Sequence, residues 1–550
     1  MTRLDASFEH VASTPIAVPT GESGPLVTAP AGPVRGVWRR IVSAPDRRGD
    51  APRFERSAAF YGIPYAEAPS GERRFLAPVP RAPWTAERPA LTPSATPQRG
   101  SIFDDPAIPE PSVPGDDFLT LNVFTPAPGR TGARLPVLVW IHGGGWSSGS
   151  HNSPWYDGAA FNRDGVVTVS IAYRLGFDGY GWVDGSDATF NRAVLDQVLA
   201  LEWVRDNIAF FGGDPGEVTI GGQSAGGGNV MVLMTCPRAR GLFRRAISDS
   251  GAVTDFPADA VRSTAREMAR LAGVEPNLEG WRALDYDRVF ALTAELEKRR
   301  AERSPRVPLA QRIRAALVSA PDAGIVYGPA VDGRIVPLPV VEALARGEGG
   351  DIPLLAMSTT HEFIRAAFEL VEELDGRTAV EVMEEAGLGA GPAADYVAAH
   401  PELGGGERLY LGALISDAMF HIPLLGWARA RERAGSAGTW LSRFAWESPA
   451  TGLSTHCLDL PFAFDCLAHP YCDHTLRAVP PQSLADAVHG DWTRFILTGD
   501  PGWRPWDSRG DSRGSGRIYG DPRGARPEGA VDGGAFAVEQ RLLEAGERPA

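Results

Sequence analysis

The chain contains 550 residues, of which 43% are hydrophobic and 22% are charged, and its formal net charge is −14. This composition predicts a globular protein with a large core, and the acidic balance excludes the basic surface by which proteins bind nucleic acids. Lys298, in an Arg/Glu-rich stretch typical of a solvated helix face, is the single lysine. Its position excludes Schiff-base, Ser–Lys and Walker-type phosphate sites, because each of them needs a placed lysine.

The N-terminal segment and the cysteines indicate the cell compartment. Residues 1–25 lack the run of about 7–15 apolar residues that a secretory signal requires. No stretch approaches about 18 continuous apolar residues, so we expect no membrane span. Four cysteines, three of them between Cys457 and Cys472, are too few for a disulfide framework. We therefore expect a cytoplasmic protein with reduced thiols.

The domain organisation follows from the distribution of linker-like residues. Residues 1–28 and the Arg/Gly/Asp-rich stretch 507–529 are expected to be irregular. Because no Pro/Gly/Ser linker separates the predicted strands, one domain over residues 29–540 is expected. The helical and polar pattern of residues 255–323 is typical of an insert over a sheet edge.

The apolar pattern predicts an α/β protein. Antiparallel strands are expected around "FYGIPYAEAP" at residues 60–69, and buried strands follow in this order: 135–141, 166–173, 217–222, 244–251, 352–358 and 439–446. Between the second and third of these, residues 193–213 show a helical apolar period that ends at two glycines. A strand, a helix and a strand in succession predict a parallel crossover. The result is a wound sheet with helices on both faces.

One serine lies where a predicted strand turns into a helix. Ser224 is the centre of Gly222-Gln223-Ser224-Ala225-Gly226, the G-x-S-x-G pattern of a nucleophile elbow. Small neighbours relieve the crowding of this sharp turn, which raises the hydroxyl above the carboxyl edge of the sheet. The pattern is weak alone, since Ser512 in "GDSRG" also matches but follows no strand. A structural serine in a tight turn is the alternative interpretation of Ser224.

A second motif supplies uncovered backbone amides. A predicted strand ends at Ile141 and is followed by His142-Gly143-Gly144-Gly145-Trp146, about 80 residues before the serine. Backbone N–H groups stabilise a developing oxyanion in acyl transfer without reorganising. Glycine triplets also occur in plain loops, but a strand, this triplet and a later G-x-S-x-G together are much more specific.

At this point the chain resembles the type-B carboxylesterase family, the cholinesterase and carboxylesterase group of α/β-hydrolases. The resemblance extends from about Gly32 to Trp506 and includes "FYGIPYAEAPSGERRFLAPVPRAPW", "LTLNVFTP", "NRAVLDQVLALEWVRDNIAFFGGDPGEVTIGGQSAGG" and "GLFRRAISDSGA". It implies an α/β-hydrolase fold, with a large, mostly parallel sheet flanked by helices. It also implies an oxyanion hole formed by the amides of Gly144, Gly145 and Ala225.

The family order of serine, acid and histidine assigns the remaining catalytic residues. Glu362 in "TTHEF" matches the family's acid, while the rival Asp332 precedes the strand and suits a turn. Chain order alone leaves six candidate histidines: His400, His421, His456, His469, His474 and His489. His456 in "THCLDLPFAF" matches the family's histidine block. The resemblance therefore implies a Ser224–Glu362–His456 triad, with His361 as a loop residue.

The chain also departs from the family pattern. Phe118 replaces a cysteine of the secreted members, which agrees with reduced thiols, and Gln223 replaces the commoner glutamate beside the nucleophile. Four aromatic residues are candidate pocket walls, with core packing as an equal alternative: Trp146, Trp155, Phe368 and Phe420.

A cysteine–histidine cluster offers a competing chemistry. Cys466, His469, Cys472 and His474 are potential metal ligands, but their spacing matches no familiar zinc site. Reduced, unliganded cysteines are the expectation, and a Cys466–Cys472 disulfide is less favoured still.

The sequence thus predicts a serine hydrolase of small to medium carboxylic esters that needs no cofactor and no metal. Its expected partner is a small-molecule ester, and its oligomeric state stays open. The alternatives are a non-catalytic binding protein on the same fold, or a hydrolase of thioesters, lactones, carbamates or lipid esters.

Overall fold

The computed structural model describes residues 17–42, 53–97, 106–251, 255–303, 308–318, 326–364, 374, 376–404, 406–476, 480–508, 516–521, 529–532 and 535–546. The strands are β1 (Ala17–Pro19), β2 (Leu26–Ala29), β3 (Gly32–Arg35), β4 (Val37–Ile41), β5 (Arg56–Pro64), β6 (Arg88–Pro89), β7 (Thr120–Thr125), β8 (Leu135–Ile141), β9 (Val167–Ile171), β10 (Gly213–Gln223), β11 (Arg245–Asp249), β12 (Phe256–Pro257), β13 (Ala330–Val331), β14 (Leu354–Thr359), β15 (Thr439–Phe444), β16 (Gly516–Tyr519) and β17 (Ala530–Asp532).

The helices are α1 (Ala159–Arg163), α2 (Gly176–Tyr180), α3 (Arg192–Asn207), α4 (Ala225–Thr235), α5 (Ala258–Ala272), α6 (Leu278–Arg282), α7 (Tyr286–Arg303), α8 (Leu309–Val318), α9 (Val340–Ala345), α10 (Ala379–Glu385), α11 (Ala390–Ala399), α12 (Glu407–Ser416), α13 (Ile422–Arg433), α14 (Leu460–Ala463), α15 (Pro470–Leu476), α16 (Gln482–Thr498) and α17 (Ala537–Gly546). A single π-helical turn, Asp417–His421, joins α12 to α13.

β2, β3 and β6 form one small sheet and β12 and β13 another, while the other twelve described strands form one large sheet whose centre is parallel. Its order is β1-β4-β5-β7-β9-β8-β10-β11-β14-β15-β16-β17. Every pairing from β9 to β16 is parallel, and the pairings outside that span are antiparallel. The mostly parallel sheet predicted from the sequence is therefore confirmed.

The central strands are buried on both faces, and this explains their continuous apolar sequences. All side chains of β9, β11 and β14 are buried, as are six of the seven in β8. Helix α3 leads from the β9 side of the sheet to β10, and α4 packs on β10 and β11. Strands that carry helices on their faces need apolar side chains in both directions, so their sequences do not alternate.

Two stretches expected to be irregular contain strands. Ala17 in β1 pairs with Ile41 in β4, and β2 pairs with β3 through Val27 and Val34. Buried apolar side chains and edge pairing therefore order part of the predicted tail 1–28, so that prediction is wrong for β1 and β2. In the stretch 507–529, β16 adds to the main sheet beside β15. Residues 1–16, 509–515 and 522–528 lie outside the described residues, and Ser512 is among them.

The segment predicted as a helical insert holds β12 and helices α5 to α8. Trp281 in α6 is fully buried, with its ring centroid 4.2 Å from that of Phe177. Helix α5 packs on α7. Residues 252–254, 304–307 and 319–325 lie outside the described part of the chain.

One helical stretch has the length and apolar composition of a membrane span. It comprises residues 407–433, has a mean hydropathy of 1.4, and 78% of its most apolar window is buried inside the protein. Its apolar faces are therefore used in core packing, as expected of a central helix in a large α/β domain. The π-helical turn lies in the middle of this stretch.

A buried ion pair fixes the end of β9 to α3. Both nitrogens of the Arg174 guanidinium edge contact the Asp196 carboxylate, at 2.9 and 2.7 Å, and the Arg174 backbone N–H donates to the same carboxylate at 3.0 Å. Both side chains are almost fully buried. Such a pair is costly to break because the remaining charge has no water to solvate it.

We predict that Asp196→Ala lowers the free energy of unfolding by about 3–5 kcal/mol, because Arg174 is left buried without its carboxylate. Urea unfolding followed by fluorescence measures the change. The matched control is Glu348→Ala, which removes the exposed partner of Arg240 and should cost less than about 1 kcal/mol. Equal effects of the two substitutions would contradict this account.

Candidate active site

Ser224 occupies a strained corner between β10 and α4. Its backbone φ is +58° and ψ is −125°, values that a residue with a side chain adopts at a cost of about 1–3 kcal/mol. The corner is held by two hydrogen bonds: the Ser224 N–H donates to the Asp249 carbonyl at 2.9 Å, and its carbonyl accepts from the Gly228 N–H at 2.9 Å. This is the geometry of a nucleophile elbow.

The glycines around Ser224 are required by close backbone contacts. A Cβ at Gly222 would lie 2.5 Å from the Gly226 carbonyl oxygen, and one at Gly226 would lie 2.1 Å from the Ile141 carbonyl oxygen. Both distances are shorter than any real Cβ contact. The elbow therefore sits directly against the end of β8 only because these two positions lack side chains.

The glycine loop after β8 lies in left-handed backbone conformations. The φ angles of Gly144, Gly145 and Trp146 are +111°, +56° and +59°. Trp146 is fully buried, and its indole N–H donates to the Asn229 side-chain oxygen on α4 at 3.0 Å. This bond ties the loop to the helix that follows the elbow.

The same loop contacts the elbow and leaves amides uncovered. A Cβ built at Gly143 would lie 3.0 Å from the Ser224 Cβ, so the loop and the serine are in direct contact. Within the described residues, the following N–H groups donate to no protein acceptor: those of Gly144, Gly145 and Ala225. Donors of this kind can stabilise an oxyanion that forms near the serine.

Glu362 and His456 are hydrogen-bonded, as predicted for the acid and the base. The His456 Nδ1 contacts one Glu362 carboxylate oxygen in a short hydrogen bond. The other oxygen accepts from the Ser250 hydroxyl and the Thr359 N–H, both at 2.8 Å. Burial acts to raise the pKa of Glu362, but the charge and hydrogen bond of His456 outweigh it and lower that pKa. The carboxylate is thus fully buried, ionised and satisfied.

The His456 nitrogen that does not contact Glu362, Nε2, faces Gln223 in the elbow. It lies 3.1 Å from the side-chain amide nitrogen of Gln223, which donates to it and favours the tautomer with the proton on Nδ1. Burial lowers the pKa of His456, but the neighbouring Cys457 and Glu362 raise it well above the ordinary value. Activity that needs a neutral His456 should therefore rise with pH at values above the ordinary histidine range.

The Ser224 hydroxyl and the His456 imidazole are not hydrogen-bonded to each other in the structure. Among the described residues, the Ser224 hydroxyl has no hydrogen-bond partner, and Gln223 occupies the contact at His456 Nε2. Ser224 is largely buried, with 8% of the residue exposed. Catalytic hydrogen bonds are often long or absent in unliganded sites and form when substrate binds.

Two phenylalanines enclose the imidazole. The Phe363 and Phe420 ring centroids lie 4.6 and 5.0 Å from that of His456, and 5.1 Å from each other. Phe420 was a sequence candidate. Phe363 was missed, although its position directly after Glu362 could have indicated it. Apolar rings at this point exclude water from the hydrogen bond between His456 and Glu362.

Two of the other aromatic candidates pack against core residues. Trp146 packs edge-on against Tyr180 and Phe256. Trp155 is fully buried in a second core cluster beside Tyr471. Phe368 lies outside the described residues.

Two buried carboxyl groups behind the triad were also missed. The side chains of Asp249, at the end of β11, and Asp459, three residues after His456, are fully buried, and none of their four carboxyl oxygens has a hydrogen-bond donor among the described residues. Burial and the charge of Asp459 raise the pKa of Asp249 well above its ordinary range. Burial raises the pKa of Asp459 to about 6. Because burial and mutual repulsion oppose two neighbouring negative charges, the pair resists double ionisation at neutral pH.

The rival catalytic residues have structural roles. One Asp332 carboxylate oxygen accepts from the N–H groups of residues 334, 335 and 336, as in the turn predicted for it. The His361 Nδ1 accepts from the Ser454 N–H at 3.0 Å, and burial lowers the pKa of His361 to about 4. His489 lies between a carbonyl and a carboxylate of the second core.

The cysteine–histidine cluster is not assembled as a four-ligand site in the described residues. Cys466 and Cys472 are free and buried, and the Cys472 thiol donates to the Cys466 carbonyl at 3.2 Å. The His469 Nδ1 accepts from the Tyr471 N–H at 3.2 Å. The side chain of His474 lies outside the described part of the structure.

Comparison with known proteins agrees with this geometry. The model of the carboxylesterase family matches residues 23–514. The chain belongs to the carboxylesterase family. A para-nitrobenzyl esterase of Bacillus subtilis (strain 168) is 31% identical over 464 residues, which cover 80% of this chain and 86% of that protein. A phenmedipham hydrolase of Pseudarthrobacter oxydans is 34% identical over 469 residues, with coverage of 80% and 86%.

Solved structures of carboxylesterases share the fold. A Geobacillus stearothermophilus carboxylesterase superposes with a TM-score of 0.74 at 28% identity, covering 94% of this chain and 99% of that one. A PNB esterase structure gives a TM-score of 0.73 at 26% identity, covering 96% and 100%. The α/β-hydrolase fold and the carboxylic-ester hydrolase activity predicted from the sequence are confirmed at the level of class.

We predict that Gln223→Glu moves the acidic limb of the kcat/KM profile of this carboxylesterase to higher pH by about one unit or more. The new carboxylate would face His456 Nε2 and favour its protonated form, which cannot accept a proton. The profile is measured with a nitrophenyl ester. Gln223→Met, of similar size and without charge, is the control, and an unmoved limb in Gln223→Glu would contradict the assignment of His456 as base.

We predict that Asp249→Asn reduces the loss of thermal stability between pH 5 and pH 8. A carboxyl group whose pKa is raised in the folded state binds a proton that the unfolded state has released, so stability falls as pH rises through that window. Each unit of raised pKa corresponds to about 1.4 kcal/mol. Scanning calorimetry of both proteins at the two pH values measures the difference. The same pH dependence in wild type and variant would show that Asp249 retains no proton in the folded state over this pH range.

Proposed function

We propose that this carboxylesterase hydrolyses small to medium carboxylic esters through a Ser224–His456–Glu362 triad and a covalent acyl-enzyme. The supporting observation is the juxtaposition at the elbow. A strained serine lies beside Gln223, whose amide contacts the free nitrogen of an imidazole held by a buried glutamate. A serine at a strained elbow and an imidazole oriented by a buried carboxylate are the parts that nucleophilic catalysis by serine uses.

Acylation begins with the transfer of the Ser224 proton to His456 Nε2. The serine oxygen attacks the ester carbonyl and forms a tetrahedral intermediate. Its oxyanion is bound by the amides of Gly144, Gly145 and Ala225. Glu362 keeps the Nδ1 proton in place and stabilises the imidazolium. The imidazolium then returns its proton to the alkoxide, and the alcohol leaves.

Deacylation repeats these steps with water. His456 accepts a proton from the water molecule as its oxygen attacks the acyl carbonyl. The second tetrahedral intermediate collapses, the acid is released, and His456 returns the proton to Ser224. Every proton is exchanged between substrate, water, serine and imidazole, so these residues complete the reaction by themselves.

The walls of the site favour esters with apolar groups. Phe363 and Phe420 flank His456, so the part of the substrate nearest the base contacts aromatic rings. Two relatives are named for what they hydrolyse, a para-nitrobenzyl esterase and a phenmedipham hydrolase. We propose aromatic or short alkyl carboxylic esters as the substrates. A panel of nitrobenzyl, nitrophenyl, glyceryl, thioester and lactone substrates tests this, and a preference for one of the last three classes would overturn it.

We further propose that the protein works in the reducing environment of the cytoplasm. The support comes from its four cysteines, which are free and buried, and from Phe118 at the position where secreted family members carry a cysteine. Fractionation of the source cells with an antibody to the chain tests the location. Recovery of the chain outside the cytoplasm would overturn the proposal.

We predict that Ser224→Ala lowers kcat by a factor of about 10⁴–10⁶, since only binding and oxyanion stabilisation remain. Ser512→Ala, at the other G-x-S-x-G match, should keep wild-type activity. An organophosphate should label Ser224 stoichiometrically, as measured by mass spectrometry.

His456→Ala should lower kcat by a factor of at least about 10³. A label on another residue, or a His456→Ala enzyme that keeps most of its activity, would refute the triad.

A further inference from the structure

A buried polar network lies behind the proposed catalytic acid, on the π-helical turn Asp417–His421. The His421 Nδ1 lies 2.6 Å from an Asp417 carboxylate oxygen, and its Nε2 lies 2.8 Å from the carbonyl oxygen of Thr359. Carbonyl and carboxylate oxygens only accept hydrogen bonds, so both ring nitrogens must donate. His421 is therefore an imidazolium. Burial opposes this charge, but the hydrogen bond with Asp417 outweighs it and raises the pKa of His421.

The carbonyl that His421 binds belongs to a residue that also holds Glu362. Thr359 is the last residue of β14, and its N–H donates to the Glu362 carboxylate at 2.8 Å. The His421 imidazolium thus holds the Thr359 carbonyl, while the Thr359 N–H holds the Glu362 carboxylate. His421 lies close enough for its charge to lower the pKa of Glu362 as well.

The surroundings of His421 are balanced in charge. Asp417 also accepts from the Tyr396 hydroxyl at 2.6 Å, and a Glu539 oxygen lies 3.7 Å from His421 Nδ1. Arg443 on β15 donates to Glu539 in a short hydrogen bond. The carboxylates of Asp417 and Glu539 and the cations of His421 and Arg443 compensate one another in this largely buried cluster.

These residues do not fit a metal ion. Donor atoms of Asp417, His421 and Glu539 lie within 4.8 Å of one another. However, both nitrogens of His421 are engaged as donors, and the Arg443 guanidinium already occupies Glu539. A divalent cation would need a neutral imidazole and would face the arginine charge. The imidazolium and the guanidinium are the cations of this cluster.

We propose that His421 is a positioning residue of the esterase, which through Thr359 orients the Glu362 carboxylate toward His456. The proposal rests on the triad of the proposed function. His421 lies about one helical turn after Asp417, and the position of this turn in the fold brings its side chain to the end of β14. Loss of the imidazolium frees the Thr359 carbonyl, and the acid then holds His456 less accurately during proton transfer.

The test is a double-mutant cycle of His421→Gln and Glu362→Gln, measured as kcat and KM with a nitrophenyl ester. His421→Gln alone should lower kcat about 10- to 100-fold with KM within about twofold, since misorientation affects the chemical step. Glu362→Gln alone should lower kcat at least about 100-fold. In the Glu362→Gln background, His421→Gln should cost less than about threefold, because the group through which it acts has been removed.

His489→Gln is the matched control. This buried histidine also lies between a carbonyl, that of Ala463 at 2.8 Å, and a carboxylate, that of Asp164 at 2.9 Å, but it contacts no triad residue. It should lower thermal stability and leave kcat within about twofold. Asp417→Asn, which removes the charge that holds the imidazolium, should reproduce the kcat loss of His421→Gln and keeps the test decisive if that variant does not fold.

The outcomes separate the two proposals. If Glu362→Gln retains activity, the triad itself is wrong. If Glu362→Gln is impaired but the losses of the two variants multiply, the triad stands and the positioning role is overturned. An unchanged kcat in folded His421→Gln or Asp417→Asn overturns it as well.

Discussion

The contact between the end of β8 and the corner at Ser224 is the constraint on which the site depends. Gly226 lies so close to the Ile141 carbonyl that any side chain would collide with it. This contact places the glycine loop and the serine side by side, and the positive φ of Ser224 turns its side chain out of the sheet. The strain is balanced by the buried strands on either side, which hold β10 in parallel register with β8 and β11.

The second organising feature is the distribution of buried charge around the base. Glu362 is surrounded by donors from Ser250, Thr359 and His456, so its negative charge is stabilised without water. Asp249 and Asp459 lie nearby, and negative charges on both would repel that of Glu362. The raised pKa of Asp249 limits that repulsion, and the imidazolium of His421 adds a compensating positive charge. Glu362 stays ionised because the two nearby aspartates resist being charged together and His421 carries a positive charge.

Much of the fold was accessible from the sequence. The central strands are continuous apolar runs and α3 has a clear helical period, so their type and order were predictable, and Ser224 and the glycine loop follow from them. The errors fall at the edges. β1, β2 and β16 are only three or four residues long, too short for a periodic pattern, and each is a strand because a neighbouring strand offers its free backbone groups. Local sequence does not contain that information.

The sequence by itself determined which residues could act as nucleophile, acid and base, because side-chain chemistry and chain order restrict those roles. It could not determine which groups surround them. Ser250 and His421 come from elements far from their partners in the chain, which lie 112 residues away for Ser250 and 62 for His421. A histidine becomes an imidazolium, and an aspartate keeps its proton, only when packing removes water and brings particular acceptors or charges into contact. The charge states of the site are therefore properties of the tertiary structure.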